Sequence, residues 1–375
     1  MNKSSLPYHR IVAKLGTNLL TSNTGQLDHA VMSKLVTQVA QLHQQGLELL
    51  IVSSGAIAAG RHKLGLIKKF KGIPYKQVLA SVGQSHLMQA YEQLLNQYGI
   101  TVAQALLAKA DLADRAGYLN ARNTLLALLE LSVLCIVNEN DVVAVDEIQE
   151  AKFGDNDNLS AMVANLVDAD LLIMLTDTAG LYTADPQQNP AARLIPQVEV
   201  IDAEIERLAA DTPNQMGTGG MATKIEAAKM ATASGITVVI ANGNEPDAIL
   251  RLAAGEAIGT HFLPTSSKLE SRKRWMLSGL CSRGKLHVDT GAAIALKKQK
   301  RSLLAAGIKS VEGNCERGDI VNIYDTGSSH LGCGITNYSS AAIEAIKGAH
   351  SEQIVSLLGY DYGSEVVHRN NLVIL

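Results

Sequence analysis

The sequence runs to 375 residues, 47% hydrophobic and 18% charged, with 33 basic against 36 acidic side chains and a formal net charge of -3. That length suits two domains, and so much apolar material excludes a disordered or fibrous chain. The near-neutral balance removes any broad electrostatic case for nucleic acid or membrane surfaces, which select an excess of basic residues.

Three Phe and one Trp leave Leu, Ile, Val and Ala to fill the core, which suits α/β layers better than an aromatic-rich sandwich. Four cysteines, Cys135, Cys281, Cys315 and Cys333, stand too far apart for a CxxC metal or redox motif, and this usage suits a reducing cytoplasm. The polar start, Met1 to Arg10, is no signal peptide. The longest apolar-rich run, Leu125 to Val137, contains Glu130 and Ser132 and is too short to span a bilayer. A cytoplasmic protein is expected, with no membrane partner.

Along the chain, short apolar runs predict strands at Ile11–Leu15, Leu47–Val52, Val102–Ala108, Val133–Val137, Leu171–Leu175 and Ile236–Ala241. Several are continuously hydrophobic, as in a parallel sheet covered on both faces. Between them, Val31, Leu35, Val39 and Leu42, and then Leu87, Tyr91, Leu94 and Leu95, recur at helical spacing. Strand–helix alternation predicts an open, mostly parallel α/β sheet sandwiched by helices. The pattern stops near Gly259. A linker over 263–282 follows, containing the basic Lys268–Arg274 around Trp275. Beyond it, Lys285–Val288, Ala293–Leu296, Ile320–Ile323, Leu331–Ile335 and Leu372–Leu375, punctuated by glycines, predict a small β-rich module. The expected domains are therefore 1–262 and 283–375.

The strands end in polar loops: Lys14-Leu15-Gly16-Thr17-Asn18, Ser53-Ser54-Gly55-Ala56, Asn138-Glu139-Asn140-Asp141, Thr176-Asp177-Thr178-Ala179-Gly180 and Asn242-Gly243. Open α/β sheets bind ligands at the carboxyl ends of their strands, so five such loops point to one shared site. For any single loop, turn formers and helix caps explain the same residues. Lys14 ends an apolar strand, where an unpaired buried ammonium would be costly. A lysine that snorkels to solvent is the plainer alternative.

Gly217-Thr218-Gly219-Gly220-Met221-Ala222-Thr223-Lys224 opens a helix. Its glycines allow close backbone approach to an anion, the helix start offers free N–H groups, and Lys224 adds a full charge. It does not fit a Walker A loop. Gly154-Asp155-Asn156-Asp157-Asn158 packs two carboxylates and two amides before a helical stretch, more than one cap requires, and would orient lysines, a metal or a substrate amine. No Glu closes a calcium loop there. Ten His residues are scattered without ligand spacing, and no metal ligand is assigned. No GxSxG elbow surrounds Ser54.

These loops, together with Leu119-Asn120-Ala121-Arg122, Gly180-Leu181-Tyr182-Thr183-Ala184-Asp185-Pro186, Gly307-Ile308-Lys309-Ser310-Val311 and Gly359-Tyr360-Asp361-Tyr362-Gly363, resemble the amino-acid kinase family in its glutamate 5-kinase branch, which ends in a PUA domain. The resemblance covers almost the whole chain and implies ATP-dependent phosphorylation of the L-glutamate side-chain carboxylate, with Mg²⁺, as the first step of proline biosynthesis. It further implies inhibition by proline, transfer of the product to a glutamyl-phosphate reductase, and a homo-oligomer, a tetramer. ATP would lie over Thr176, Asp177 and the loop Thr218, Gly219, Gly220, Met221, Ala222, Thr223 and Lys224. Glutamate would be held by Ser54, Asp141 and Asn156. Lys14 and Lys224 match the family's paired lysines and Asp157 its organising aspartate. Sister kinases acting on aspartate, carbamate, uridylate or acetylglutamate are the nearest rivals. RNA binding by the PUA module is a different class of reading; residues 283–375 carry ten Lys/Arg and nine Asp/Glu, far from a phosphate-binding bias.

Overall fold

A computed structural model describes residues 6–22, 25–65, 72–143, 156–186, 188–210, 220–265 and 283–374. These fall into two compact units, one within 1–112 and 121–268, the other within 113–120 and 269–375.

The first unit is built on an eight-stranded sheet. Its strands are β1 (Arg10–Leu15), β2 (Glu48–Ser53), β3 (Val102–Leu107), β4 (Leu134–Glu139), β5 (Leu171–Thr176), β6 (Gln197–Val198), β7 (Thr237–Asn242) and β8 (Thr260–Phe262), in the order β3-β4-β2-β1-β5-β7-β8-β6. Every pairing is parallel except β7 with β8. The continuous apolar runs follow from that: β4 is buried at every position, and β1, β2 and β5 at all but one. Helix His29–Gln44 carries the chain from β1 to β2, its start capped by Asp28, which accepts from the Ala30 and Val31 amides at 3.0 Å. Strands added on opposite sides of β1 make it the point where strand order reverses, the usual place for a ligand crevice.

Helices Ala56–Lys63 and Ile73–Asn96 cross in that unit at two glycines. A Cβ on Gly60 would stand 1.9 Å from the Leu79 carbonyl oxygen, and one on Gly83 1.7 Å from that of Ala56. The two backbones therefore touch, and no larger residue fits at either position. Their contact fixes the loop Ser53-Ser54-Gly55 relative to the long helix.

All six strands expected in this unit are present. From the run at 102–108, β3 forms the edge strand among the described residues, and its side chains are half-buried or exposed rather than continuously buried. The sheet continues past Gly259 into β8, and β6 and β8 were too short to show as apolar runs.

The second unit holds β9 (Gly284–Val288), β11 (Ile308–Gly313), β12 (Ile320–Tyr324), β13 (His330–Ile335) and β15 (Leu372–Ile374) in one sheet, order β11-β9-β12-β13-β15. A ribbon pairs β10 (Leu303–Leu304) with β14 (Glu365–Val367). Leu286, Val288, Val321, Ile323, Leu331, Tyr338 and Ile343 form its core. Within the same unit, Leu119 packs with Ile320, Cys333, Ile335 and Val373, and Arg115 pairs with Asp319. The expected strand at Ala293–Leu296 is instead the middle of helix Thr290–Gln299. Asp289 caps that helix, accepting from the Ala292 amide at 2.7 Å, and only Leu296 is buried. Four apolar residues do not distinguish strand from helix; the capping aspartate does. The expected linker lies largely outside the described residues. Among the described residues no helix is long and apolar enough to cross a membrane.

Candidate active site

Lys14 is the fifth residue of β1, in register with Val52 of β2 and Met174 of β5. Its side chain is buried, and its Nζ stands 2.6 Å from Asp157 Oδ1. Asp157 is the second residue of helix Asn156–Leu166, which packs against β1, β2, β4 and β5 and so aims its first turn at the end of β1. A carboxylate there is favoured by the helix dipole. Lys224 lies in the first turn of helix Met221–Ala233, where the dipole disfavours a cation. Asp157 offsets that: Lys224 Nζ lies 3.1 Å from Oδ2, and 3.4 Å from the Gly220 carbonyl oxygen. Thr223 adds a third donor, its hydroxyl 2.8 Å from Asp157 Oδ2.

Asp157 thus binds two ammonium groups and a hydroxyl while its side chain is 1% exposed. Burial alone would push its carboxyl up. The charges of Lys14 and Lys224 and the hydrogen bonds from Lys14 and Thr223 outweigh that and hold it at about 2. Two lysines and one carboxylate leave one formal positive charge, preorganised at the carboxyl end of the central strand. Such an array stabilises an anion whose charge spreads during group transfer.

One residue earlier, Asn156 enters an uncharged network. Its Nδ2 donates to Ser54 Oγ at 2.9 Å and to Asn138 Oδ1 at 3.0 Å. Asn138 Oδ1 also accepts from the Glu139 backbone amide at 2.9 Å, and Asn138 Nδ2 donates to Gln84 Oε1 at 2.8 Å. Ser53, beside Ser54, shares a 2.8 Å hydrogen bond with the Tyr91 hydroxyl, which anchors the loop to the long helix. Two atoms of the network, Gln84 Nε2 and Asn156 Oδ1, are buried with no hydrogen-bond partner among the described residues.

At the end of β5, Asp177 accepts from its neighbour Thr176 at 3.0 Å and from Asn18 Nδ2 at 3.2 Å, joining this loop to the one that follows Lys14. Of the expected site residues, Lys14, Asp157 and Lys224 meet directly, and so do Ser54 and Asn156. Gly220 is the N-cap of the helix that Met221, Ala222 and Thr223 begin. Asp141 is half-buried in the turn after β4. Thr218 and Gly219, like Gly154 and Asp155, lie outside the described residues. Asn138 and Gln84 went unassigned from sequence. Gln84 shares a helix face with the buried Ala80, Leu87 and Tyr91, so a polar residue on an apolar stripe was its readable signal.

The model of the amino acid kinase family matches residues 9–242, and that of the PUA domain residues 284–358. A glutamate 5-kinase from Dehalococcoides mccartyi (strain CBDB1) is 59% identical over 368 residues, covering 98% of this chain and 99% of that protein. One from Shewanella oneidensis is 50% identical over 375 residues, covering all of both. Among solved structures, a UMP kinase from Bacillus anthracis aligns with a TM-score of 0.48 and 16% identity, over 69% of this chain and 98% of that one. The chain is a kinase and belongs to the glutamate 5-kinases of the amino-acid kinase family, with a PUA domain following the kinase domain.

Proposed function

We propose that the chain transfers the terminal phosphoryl group of ATP to the side-chain carboxylate of L-glutamate, giving L-glutamyl 5-phosphate. The observation that carries this reading is the buried Lys14–Asp157–Lys224 cluster at the end of the central strand. The acceptor carboxylate is already ionised at neutral pH, with an ordinary pKa of about 4.3, so the reaction needs no general base. What it needs is a way to bring one anion up to a polyanion. Lys14 and Lys224 supply positive charge on either side of the transferring group, and Asp157 keeps both ammonium groups in place before the nucleotide arrives. Gly220 and the first helical turn, Met221, Ala222 and Thr223, receive the phosphates, and Thr176 and Asp177 lie under the nucleotide. Ser54, Asn156 and Asp141 hold the amino acid.

Mg²⁺, when bound with the nucleotide, would neutralise phosphate charge. Among the described residues no three His, Cys, Asp or Glu side chains are grouped to hold a metal ion, so no protein ligand is assigned to it. In this reading the protein is cytoplasmic, makes the labile acyl phosphate at the start of proline biosynthesis, hands it to a reductase, and is slowed by proline competing near the glutamate pocket.

The test is ATP-dependent acyl-phosphate formation from L-glutamate, trapped as the hydroxamate, with and without L-proline. Hydroxamate that falls with proline supports reaction and regulation together. Hydroxamate insensitive to proline removes the regulation. Turnover of ATP with aspartate or a nucleoside monophosphate, and none with glutamate, sinks the reading.

A further inference from the structure

The uncharged network has a polarity, and one backbone group sets it. The Glu139 amide can only donate, so the Asn138 side-chain atom that meets it is the oxygen. Asn138 must then turn its nitrogen to Gln84, which answers with its carbonyl oxygen and leaves its own Nε2 facing away. In the other direction, the Asn156 atom that meets Asn138 Oδ1 must be the nitrogen, and both of its hydrogens are used, on Asn138 and on Ser54. Asn156 Oδ1 is left facing away. The chain therefore ends in a buried donor at Gln84 and a buried acceptor at Asn156, both unpartnered. Buried polar atoms are nearly always satisfied, so a spare donor and a spare acceptor joined through one rigid network call for a ligand that offers the reverse pair.

Resting on the functional reading above, we infer that Gln84 is a specificity-determining residue, its Nε2 donating to the α-carboxylate of the substrate while Asn156 Oδ1 accepts from the α-ammonium. Ser54, whose Oγ already accepts from Asn156, keeps its proton to donate to the same carboxylate. The closely packed Gly60 and Gly83 hold helix Ile73–Asn96 where Gln84 can reach Asn138. The network thus reads the zwitterionic head of an α-amino acid, whereas the lysine cluster reads phosphate.

The test pairs two variants with two substrates. Gln84→Glu keeps the oxygen that Asn138 needs, removes the donor and sets a negative charge against the α-carboxylate. Gln84→Met removes donor and acceptor without adding charge. The second substrate, 4-aminobutyrate, is L-glutamate without its α-carboxylate. For L-glutamate, the KM should rise about 10-fold in Gln84→Met and about 100-fold in Gln84→Glu, as expected for a lost hydrogen bond to a charged group and then added repulsion. The KM for ATP should stay at its wild-type value, which also reports the fold, and 4-aminobutyrate should show no such rise. An unchanged KM for L-glutamate, or equal losses with both substrates, overturns the assignment and makes Gln84 structural. Failure of the unmutated protein to phosphorylate L-glutamate overturns the functional reading instead, whatever the variants do.

Discussion

At the end of β1, Lys14, Asp157 and Lys224 bury three formal charges in contacts of 2.6 and 3.1 Å, whereas Asn156, the residue before Asp157 on the same helix, belongs to a chain with no charge at all. The charged cluster is complete in charge as it stands: each carboxylate oxygen has an ammonium nitrogen within 3.1 Å, so no buried ion lacks a counter-ion. The neutral chain Ser54–Asn156–Asn138–Gln84 is incomplete, with a donor and an acceptor left over. Complete clusters are preorganised and act on the rate, because nothing must rearrange when charge develops. An incomplete one gains most when a ligand completes it, so it acts on affinity and on the choice of substrate.

The strongest way to break the charged half is Asp157→Asn. Two buried ammonium groups then face each other without a counter-ion, which should cost about 3–5 kcal/mol of stability and lower kcat by about 10²–10³-fold. Lys14→Met and Lys224→Met should lower kcat by a similar factor yet cost far less stability, because Asp157 keeps its other lysine. Urea unfolding beside hydroxamate kinetics measures both. Equal destabilisation by all three substitutions would mean that Asp157 is not the shared counter-ion, and near-normal kcat in a folded Lys224→Met variant would remove that lysine from the mechanism.

The neutral half is best broken from beneath. Gly83→Ala places a methyl group 1.7 Å from the Ala56 carbonyl oxygen, so helix Ile73–Asn96 must move away from Ala56–Lys63. The expected loss is about 3 kcal/mol, at the upper end for overpacking because backbone rather than a side chain is in the way. Where the variant folds, the KM for glutamate should rise more than that for ATP, since Gln84 moves with its helix and Lys14 does not. A parallel rise in both would show that the two halves are not separable.

How much of this contrast was legible in the sequence differs between the halves for a physical reason. Lys14 stood out because a lysine ending an apolar strand needs an explanation, and Asp157 and Lys224 stood out in motifs dense with Asx and Gly. That all three converge could not be read from local pattern, since they come from one strand and two separate helices. Gln84 was visible only as a polar residue on an otherwise apolar helix face. Its meaning depends on Asn138, at a strand end 54 residues later. The misread Ala293–Leu296 has the opposite lesson: there the deciding residue, Asp289, was local, and four apolar letters outweighed one cap.

Acid separates the halves more gently. The Asp157 carboxyl is held at about 2 against an ordinary 3.8, so the native state binds its proton less readily than the unfolded chain does. Its contribution, on the order of 2 kcal/mol, is fully present above about pH 4 and is lost as the pH falls toward 2. None of Ser54, Asn156, Asn138 and Gln84 titrates in that range. The stability gap between wild type and Asp157→Asn should therefore narrow by about 2 kcal/mol between pH 5 and pH 2. A gap that stays constant would mean that the carboxylate gains nothing from its lysines.

The smallest expected effect concerns Thr223, whose hydroxyl lies 2.8 Å from Asp157 Oδ2 and 2.9 Å from the Gly220 carbonyl oxygen. It sits beside Lys224 at the start of the helix, so one side chain ties the carboxylate to the N-cap residue Gly220. Its place is to aim Asp157, and through it the two lysines. Thr223→Val keeps the shape and removes the hydrogen bond, which should lower kcat about 10-fold with little change in KM for glutamate, since a hydrogen bond to a charged group is worth about 1.5–3 kcal/mol and only part of it is felt in the transition state. Thr223→Ser restores the hydroxyl on a smaller side chain and should recover most of the rate. Equal losses in both variants would assign the effect to the missing methyl contacts, and with it the residue to packing rather than to the charged half of the site.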